Sequence, residues 1–303
     1  MSLRTEILTS LETVIQIPTL PEVVMRLQHE IESDDTDAAA IARIISEDPT
    51  LTLKVLKIAN SVLYHVGSEI VDVRQAVTRL GMSELRNLVY AVSVLRLMPD
   101  LPHIDYKRFW RHSISVAYTA KSMLRCCGAE SGVGESSVSG LAFVAGLLHD
   151  LGILVLDQII PEQYALALNM AGRNDGDSNA GEAGGESLPL CAAEQKFLGI
   201  SHAEVGGIIL RQWGMPNSLV EAVTFHNDPL SADEHRTLAC IVHIANFVCN
   251  NRGIDNGTSV PPEGFSDACW DWLGLSVEEI PAIIEMADQD AEKSQTLMLL
   301  ASA

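Results

Sequence analysis

The sequence is poor in aromatic residues, and no segment alternates polar and apolar residues as a half-buried strand does. Aromatic side chains make up 5% of the 303 residues and hydrophobic side chains 47%, with Leu, Ala, Ile and Val dominant. That mixture suits packed helices better than a sheet sandwich. Apolar residues such as Leu85, Leu88 and Val89 recur at helical spacing. We therefore predict an all-α, multi-helical fold with roughly ten to fifteen helices.

The chain also lacks an excess of basic residues. Its 20 Lys and Arg stand against 40 Asp and Glu, which gives a formal net charge of −20. Proteins that bind nucleic acids need a basic surface along the phosphates, and anionic membranes attract basic segments. We expect neither nucleic acid nor a membrane as a partner, and we interpret the acidic charge mainly as an aid to solubility.

Cysteine is present without a disulfide or zinc pattern. The six cysteines show no CxxC spacing, and Cys126 and Cys127 are adjacent, which is a poor arrangement for a structural disulfide. Residues 1–14 contain no apolar signal-peptide core. The apolar run that ends at Leu156 is short for a membrane span and contains His149 and Asp150. These features predict reduced thiols and a cytoplasmic location.

Polar and proline-containing segments indicate how the chain is divided. Three polar stretches interrupt the helical pattern, at residues 128–140, 172–189 and 250–267. Two prolines between residues 98 and 106 favour a boundary there. We predict an amino-terminal helical subdomain, a second helical subdomain and a carboxy-terminal loop with a helical tail, over residues 1–100, 101–250 and 251–303. The Gly-rich stretch 172–189 is either a lid or partner-contact element or a tolerated surface insertion.

A histidine–aspartate pair in an apolar run is the main candidate for chemistry. His149 and Asp150 lie within "GLLHDLGILVL", where an ionised carboxylate is costly unless a positive group or hydrogen bonds face it. Further candidate ligands are His112, His202, His226 and His243, with Asn246, and most of the candidates lie on stretches with a strong helical pattern. Imidazole and carboxylate ligands from several helices suit Fe, Mn, Zn or Ni.

Two structural interpretations stay open beside the metal site. Asp150 can form an ion pair with an arginine, such as Arg111 or Arg211, and His243 can be an ordinary core residue. We interpret the apolar run as one helix that contains the pair, and adjacent side chains on a helix point about 100° apart. Both then reach one ion only where the helix passes close by, which a small residue such as Gly146 or Gly152 would allow. The remaining histidines are interpreted as core or surface residues: His29, His65, His103 and His235.

Several long segments resemble the HDOD family, the HD-related output domain of bacterial signalling proteins. The resemblance covers roughly residues 15–250 and implies an all-helical fold, with an amino-terminal helical subdomain packed on an HD-like helical subdomain. The segments that carry it, in chain order, are "IPTLPEVVMRLQ", "IARIISEDPTLTLKVLKIANSVLY", "VRQAVTRLGMSELRNLVYAVSV", "FWRHSISVAYTAK", "AFVAGLLHDLGILVL" and "HAEVGGIILRQWGMPNSLVEAVTFHN".

The resemblance also implies a set of site residues. HD-type phosphohydrolases bind metal through a His, an adjacent His-Asp pair and a later Asp. His112 matches the first, His149 and Asp150 match the pair, and Asn246 stands where the later Asp is expected. In the related HD-GYP phosphodiesterases further histidines take part. His202 and His226 match two of these, whereas Asn227 replaces another.

Two functions follow from the resemblance. The reduced ligand set favours a regulatory signal-transduction protein whose degenerate HD-type site is a protein- or ligand-binding platform. The alternative is a metal-dependent phosphohydrolase or phosphodiesterase that acts on a nucleotide or cyclic dinucleotide, in which Asp150 is essential. A metal-free remnant of such a site is a third interpretation. Only a short helix precedes the family segment, so we expect no fused receiver or cyclase domain and a separate signalling protein as the partner.

Overall fold

The computed structural model describes most of the chain as helix. The described residues are 2–13, 38–61, 69–82, 101–126, 135–173, 187–262 and 264–285, with 26, 27, 30, 84, 85, 88, 89 and 91. Thirteen α-helices, two short 3₁₀-helices and no strand lie within them, which confirms the all-α prediction. Residues 98–100, 174–186 and His29 and His65 lie outside these ranges, so the boundary segment and the Gly-rich stretch are only partly described.

Three short helices form the amino-terminal group. They are α2 (Ala38–Ser46), α3 (Pro49–Ala59) and α4 (Val73–Leu80), and each contacts the other two. Asp48 separates the first two, because its carboxylate accepts the Leu51 amide hydrogen and Pro49 begins the next helix. Buried Ile, Leu, Val and Ala side chains of the three helices form their common core.

The remaining helices form the larger group, which contains the site. They are α5 (Tyr106–Cys126), α6 (Glu135–Leu148), α7 (Leu151–Ile159), α8 (Pro161–Met170), α9 (Leu190–Leu198), α10 (His202–Gln212), α11 (Asn217–Phe225), α12 (Arg236–Asn251) and α13 (Asp267–Leu273). Helix α5 packs on α6 and α12, and α10 packs on α7 and α11. The α6–α7 junction therefore lies among α5, α10 and α11.

A buried ion pair joins α5 to the segment that follows α4. Lys121 of α5 donates to the Glu84 carboxylate at 2.6 Å, and the Tyr118 hydroxyl lies 3.4 Å from the same group. Lys121 and the Glu84 side chain are only 8% and 11% exposed, so the pair fixes the relative placement of the helices that carry them. This contact agrees with the expected packing of an amino-terminal helical part on the HD-like part.

The first helix, α1 (Leu3–Thr13), packs on the larger group. Arg4 donates to the Gly199 carbonyl and forms a 3.3 Å ion pair with Glu204, and Gln212 donates to the Leu11 carbonyl. Ile7 and Leu11 are buried. The helix thus lies along α10, which begins with a capping box: Ser201 accepts from the Glu204 amide, and the Glu204 carboxylate accepts from the Ser201 amide.

One apolar stretch among the described residues is long enough to cross a membrane, Leu141–Ile159. Most of it is buried inside the bundle, as expected for core helices. The sequence interpretation treated this stretch as one helix, and that is wrong. Helix α6 ends at Leu148, and α7 begins at Leu151. The residues in the break are His149 and Asp150.

Candidate metal centre

The break between α6 and α7 turns His149 and Asp150 toward the same point. Within a regular helix their side chains would diverge, but in the turn the His149 Nε2 atom lies 3.2 Å from Asp150 Oδ2. Both residues are at most 1% exposed. Because the pair lies in a turn, the two side chains can reach the same point although they are adjacent in the sequence.

Small residues bring the neighbouring backbones close to this turn, as the sequence interpretation expected. A Cβ atom on Gly146 would lie 2.8 Å from the Ala117 Cα atom of α5. A Cβ atom on Gly152 would collide with the His202 carbonyl at the start of α10. Glycine at both positions thus permits α5 and α10 to approach closely enough for His112 and His202 to reach Asp150.

Four of the candidate histidines meet at the Asp150 carboxylate, whereas His243 and Asn246 do not. On the Oδ2 side, the Nε2 atoms of His149 and His112 lie at 3.2 and 3.8 Å. On the Oδ1 side, the Nε2 atoms of His202 and His226 lie at 3.4 and 3.5 Å. The carboxylate therefore stands between two pairs of imidazoles, and each pair forms with it a group of three close donor atoms that could hold a cation.

The outer nitrogens of the four rings fix their orientation. Each Nδ1 faces an oxygen acceptor at 2.6–2.8 Å: Ile254 O for His112, Gly146 O for His149, Glu194 Oε2 for His202 and Val223 O for His226. Because these oxygens only accept, each Nδ1 carries the hydrogen. In a neutral ring Nε2 then presents a lone pair, and this is the arrangement of metal-bound histidines.

The inner face of the cluster fits a cation. His112 Nε2 and His149 Nε2 are 3.4 Å apart, and two neutral rings so oriented would bring two lone pairs together. The buried Nε2 atom of His226 forms no hydrogen bond, although it lies 3.5 Å from Asp150 Oδ1. A divalent ion would supply the missing positive charge, and these imidazole nitrogens and carboxylate oxygens would hold it, so the residues present fit a metal centre.

Burial keeps two of the rings in the form that binds metal. Burial lowers the pKa of His112 and of His226 to about 4, so both are neutral at physiological pH. Burial acts to raise the pKa of Asp150, but the neighbouring imidazoles, His149 foremost, hold it well below its usual range. The carboxylate is therefore ionised inside the protein, as a ligand must be.

A buried network behind His202 was not found from the sequence. Glu194 of α9 is fully buried and accepts from both the backbone N–H and the Nδ1–H of His202, at 2.8 and 2.7 Å. The Tyr164 hydroxyl donates to the other Glu194 oxygen at 3.0 Å. Burial lowers the pKa of His202, but the Cys191 sulfur, Glu194 and Asp150 raise it well above its ordinary value. Glu194 lies one helical turn from Leu190 and from Leu198, and this spacing could have predicted that Glu194 shares their buried face.

The two asparagines that replace expected ligands, and His243, lie beside the cluster. The Asn246 Oδ1 atom accepts from Asn250 at 2.7 Å, and Asn246 lines a cavity next to Asp150 without bonding to it. Asn227 donates to the Cys191 sulfur and lies 3.2 Å from His202 Nε2. His243 donates to the His226 carbonyl and accepts from the Ser266 amide, which agrees with the core interpretation.

The arginine alternative is wrong for the described residues. Arg111 and Arg211 are exposed, and among residues in the described ranges Asp150 has ion-pair contacts with histidines only. Its remaining hydrogen bond comes from Asn256, whose Nδ2 atom lies 2.9 Å from Asp150 Oδ2. Asn256 lies in a polar loop that the sequence interpretation did not connect with the site.

Replacing Glu194 with glutamine should weaken metal binding by about 10- to 100-fold, the usual effect of removing a partner of a metal-bound histidine. The amide lowers the basicity of His202 because it carries no charge. Competition with a fluorescent chelator measures the affinity for Zn²⁺. Glu162→Gln, at an exposed position in the first turn of α8, is the matched control. Equal affinities of the two variants would contradict a role for Glu194.

The all-helical bundle with a buried His-Asp pair and convergent histidines agrees with the family that the sequence resembles. The model of the HDOD domain matches residues 17–229, and the chain belongs to the HDOD family. The family prediction from the sequence is thus confirmed. The matched range ends before Asn246, Ile254 and Asn256.

Solved structures of low sequence identity share the fold. The chain superimposes with a TM-score of 0.75 on a proposed signal transduction protein of Marinobacter aquaeolei, at 24% identity over 99% of this chain and 65% of that one. An HDOD domain protein of unknown function from Geobacter sulfurreducens also gives 0.75, at 21% identity, over 98% of this chain and 96% of that one. A proposed metal-dependent phosphohydrolase of Shewanella amazonensis gives 0.61, at 19% identity, over 99% and 98%.

A curated relative is considerably longer than this chain. It is an uncharacterised protein of Treponema pallidum, 26% identical over 238 residues. The alignment covers 78% of this chain but only 42% of the relative.

Proposed function

We propose that the chain is a regulatory signal-transduction protein whose HD-type site holds a divalent ion and is a binding platform with little or no hydrolytic activity. The observation that carries this proposal is the contrast between the imidazoles around Asp150 and the cavity beside them. Its imidazole ligands are buried and well oriented. The space beside them is a cavity of about 30 Å³ lined among the described residues by neutral side chains, apart from Asp150 and His202 themselves.

The ligand set supports Zn, Fe, Mn or Ni as the ion. Imidazole is a ligand of these metals, whereas Ca²⁺ and Mg²⁺ prefer sites made of oxygen atoms. His112, His149, His202 and His226 would bind through Nε2, with Asp150 between them. Their Nδ1 partners hold the rings in place before an ion arrives, which lowers the cost of ordering the site.

The cavity is poorly suited to a phosphate ester. Its described lining contains no Lys or Arg but four carboxamides, from Asn227, Asn246, Asn250 and Asn256. Phosphoryl transfer needs positive groups on the phosphate oxygens in addition to an activated water. The cavity has a volume of about 30 Å³ and opens to solvent, so the described residues do not enclose a phosphate ester.

Phosphodiester hydrolysis remains the second candidate, because Asp150 stands between two imidazole pairs. Two adjacent ions bridged by a carboxylate are the usual arrangement in metal-dependent phosphohydrolases, and a bound ion there lowers the pKa of water. The substrate would then be a nucleotide or cyclic dinucleotide. The neutral Asn246 in place of the expected carboxylate argues against full activity.

Metal analysis and a phosphodiesterase assay of the same preparation distinguish these functions. We expect bound metal in protein purified without chelator, with no hydrolysis of bis-p-nitrophenyl phosphate above a metal-only control in added Mn²⁺ or Fe²⁺. Turnover that disappears in Asp150→Ala would replace the regulatory proposal with the hydrolase. If the protein binds no metal even after addition of Zn²⁺, Mn²⁺ or Fe²⁺, the site is the metal-free remnant and both other functions are refuted.

The signalling role would require a partner protein. The description of the Marinobacter relative as a proposed signal transduction protein agrees with this role. The net charge of −20 makes a basic surface on the partner favourable and a nucleic acid unfavourable. A cytoplasmic location agrees with the free thiols of Cys191, Cys240, Cys249 and Cys269.

A further inference from the structure

The loop that follows α12 forms one wall of the candidate metal centre. We call residues 254–262 the cap loop. It contributes five of the residues that line the cavity next to Asp150: Asn256, Thr258, Val260, Pro261 and Pro262. The HDOD match ends at residue 229, so this wall is a feature of the chain beyond the matched range.

The cap loop holds two members of the ligand cluster at once. Its Ile254 carbonyl accepts from His112 Nδ1 at 2.6 Å, and its Asn256 Nδ2 atom donates to Asp150 Oδ2 at 2.9 Å. The donated hydrogen bond takes up one lone-pair direction of Oδ2 and so sets the rotation of the carboxylate. The imidazole and the carboxylate thus receive their orientation from one short segment.

The orientation of the Asn256 amide is itself determined by the loop. The Thr258 hydroxyl donates to Asn256 Oδ1 at 2.7 Å, while it accepts from the Val260 amide at 3.3 Å. The amide oxygen of Asn256 is therefore occupied by a donor, which turns its NH₂ group toward Asp150. Because Thr258 is only 1% exposed, water does not compete readily for these bonds.

The cap loop is fastened to the start of α5. Arg108 forms a 2.7 Å ion pair with Asp255 and donates to the Ser259 hydroxyl, and the Asp105 amide donates to the Gly257 carbonyl at 3.1 Å. Gly257 has φ = +76°, and a Cβ atom there would lie 2.5 Å from the Asp105 carbonyl oxygen. The loop therefore lies directly on the helix that carries His112.

From these contacts we propose that the cap loop controls access to the metal centre and that Asn256 is its positioning residue for Asp150. The loop retains the ion because it holds His112 and Asp150 in the geometry that binds it. This inference rests on the proposed ion site and concerns residues that do not themselves bind the ion. It assigns the polar loop after α12 a role in the site.

The first test is the rate at which Co²⁺-loaded protein loses its ion to excess EDTA, followed by the visible absorption of Co²⁺. Asn256→Ala should accelerate the release at least 10-fold and weaken Co²⁺ binding by about 10- to 100-fold. Asn251→Ala, an exposed position near the end of α12, is the control and should behave as wild type. Arg108→Ala should also accelerate release, because it loosens the loop without touching a ligand; Arg111→Ala is its exposed control.

The second test separates positioning from simple loop stability. Asn256→Asp keeps the shape of the side chain but places a carboxylate against Asp150, so the metal-free protein should melt at a lower temperature than wild type. Addition of Co²⁺ should raise its melting temperature by more than it raises that of wild type. If Asn256 only supports the loop, the two Co²⁺-induced shifts will be equal.

The outcomes distinguish the two proposals. If wild-type protein fails to bind Co²⁺, both the proposed ion site and the cap are refuted. If it binds Co²⁺ but Asn256→Ala releases the ion at the same rate as Asn251→Ala, the cap alone is refuted. Folding of each variant is checked by circular dichroism, and Arg108→Ala provides the release measurement if Asn256→Ala does not fold.

Discussion

Asp150→Ala should abolish metal binding, with a loss of affinity of at least about 100-fold, or about 3 kcal/mol. The reason is that Asp150 contributes both carboxylate oxygens and is the only residue of the cluster in contact with all four imidazoles. The stabilisation that metal confers should disappear as well, since an ion at about 100 times its dissociation constant contributes about 2.7 kcal/mol to folding. Thermal unfolding with and without Zn²⁺ measures this difference.

Asp157→Ala is the matched control for this experiment. Asp157 is also buried in the α7 region, but its carboxylate binds the backbone N–H and the Nδ1 atom of His103, at 3.0 and 2.7 Å. Its loss should lower the melting temperature in the presence and in the absence of metal, and the increase caused by Zn²⁺ should persist. An Asp150→Ala protein that retains the full Zn²⁺-dependent increase would refute the metal centre.

Gly152→Ala should destabilise the protein by about 3 kcal/mol or more, at the upper end of the cost of overpacking. The added methyl group collides with the His202 carbonyl and would lie 3.0 Å from the Gly206 amide nitrogen, both of which belong to backbone. Backbone atoms cannot move aside as a flexible side chain does, so α7 and α10 must separate. Urea unfolding followed by circular dichroism at 222 nm gives the free energy of unfolding.

Gly264→Ala provides the comparison, because a Cβ atom there meets no atom within 4 Å. Its effect should remain within about 0.5 kcal/mol of wild type. Zn²⁺ affinity should fall in Gly152→Ala, since the separation of α7 from α10 moves His202 away from Asp150, and should be unchanged in Gly264→Ala. Similar stabilities of the two variants would show that the close approach is not required.

Part of the fold and of the cluster could be predicted from the sequence. Helical spacing of apolar residues indicated the all-α fold, and the cost of burying Asp150 indicated that positive or polar groups surround it. Gly146 and Gly152 were expected beside the pair because only a small residue permits a neighbouring backbone to come close. In the structure the Ala117 backbone lies against Gly146, and the His202 backbone lies against Gly152.

Other features depend on contacts between distant segments and leave little trace in the local sequence. The break after Leu148 is hidden because apolar residues continue on both sides of it. Asn256 lies in a polar loop that reads as ordinary surface, yet its partner Asp150 is 106 residues away. The contribution of Ile254 is a backbone carbonyl, which any residue type can provide.

The docking of α1 has a consequence for how the protein is made. Arg4 is 195 residues from its partner Gly199, and Leu11 is 201 residues from Gln212. During synthesis these contacts can form only after most of the chain has left the ribosome. Contacts between such distant residues also slow folding, because a long loop must close before they contribute stability. Helix α10 therefore acquires its final neighbours late in biogenesis, while the shorter-range pairing of α5 with α6 can form much earlier.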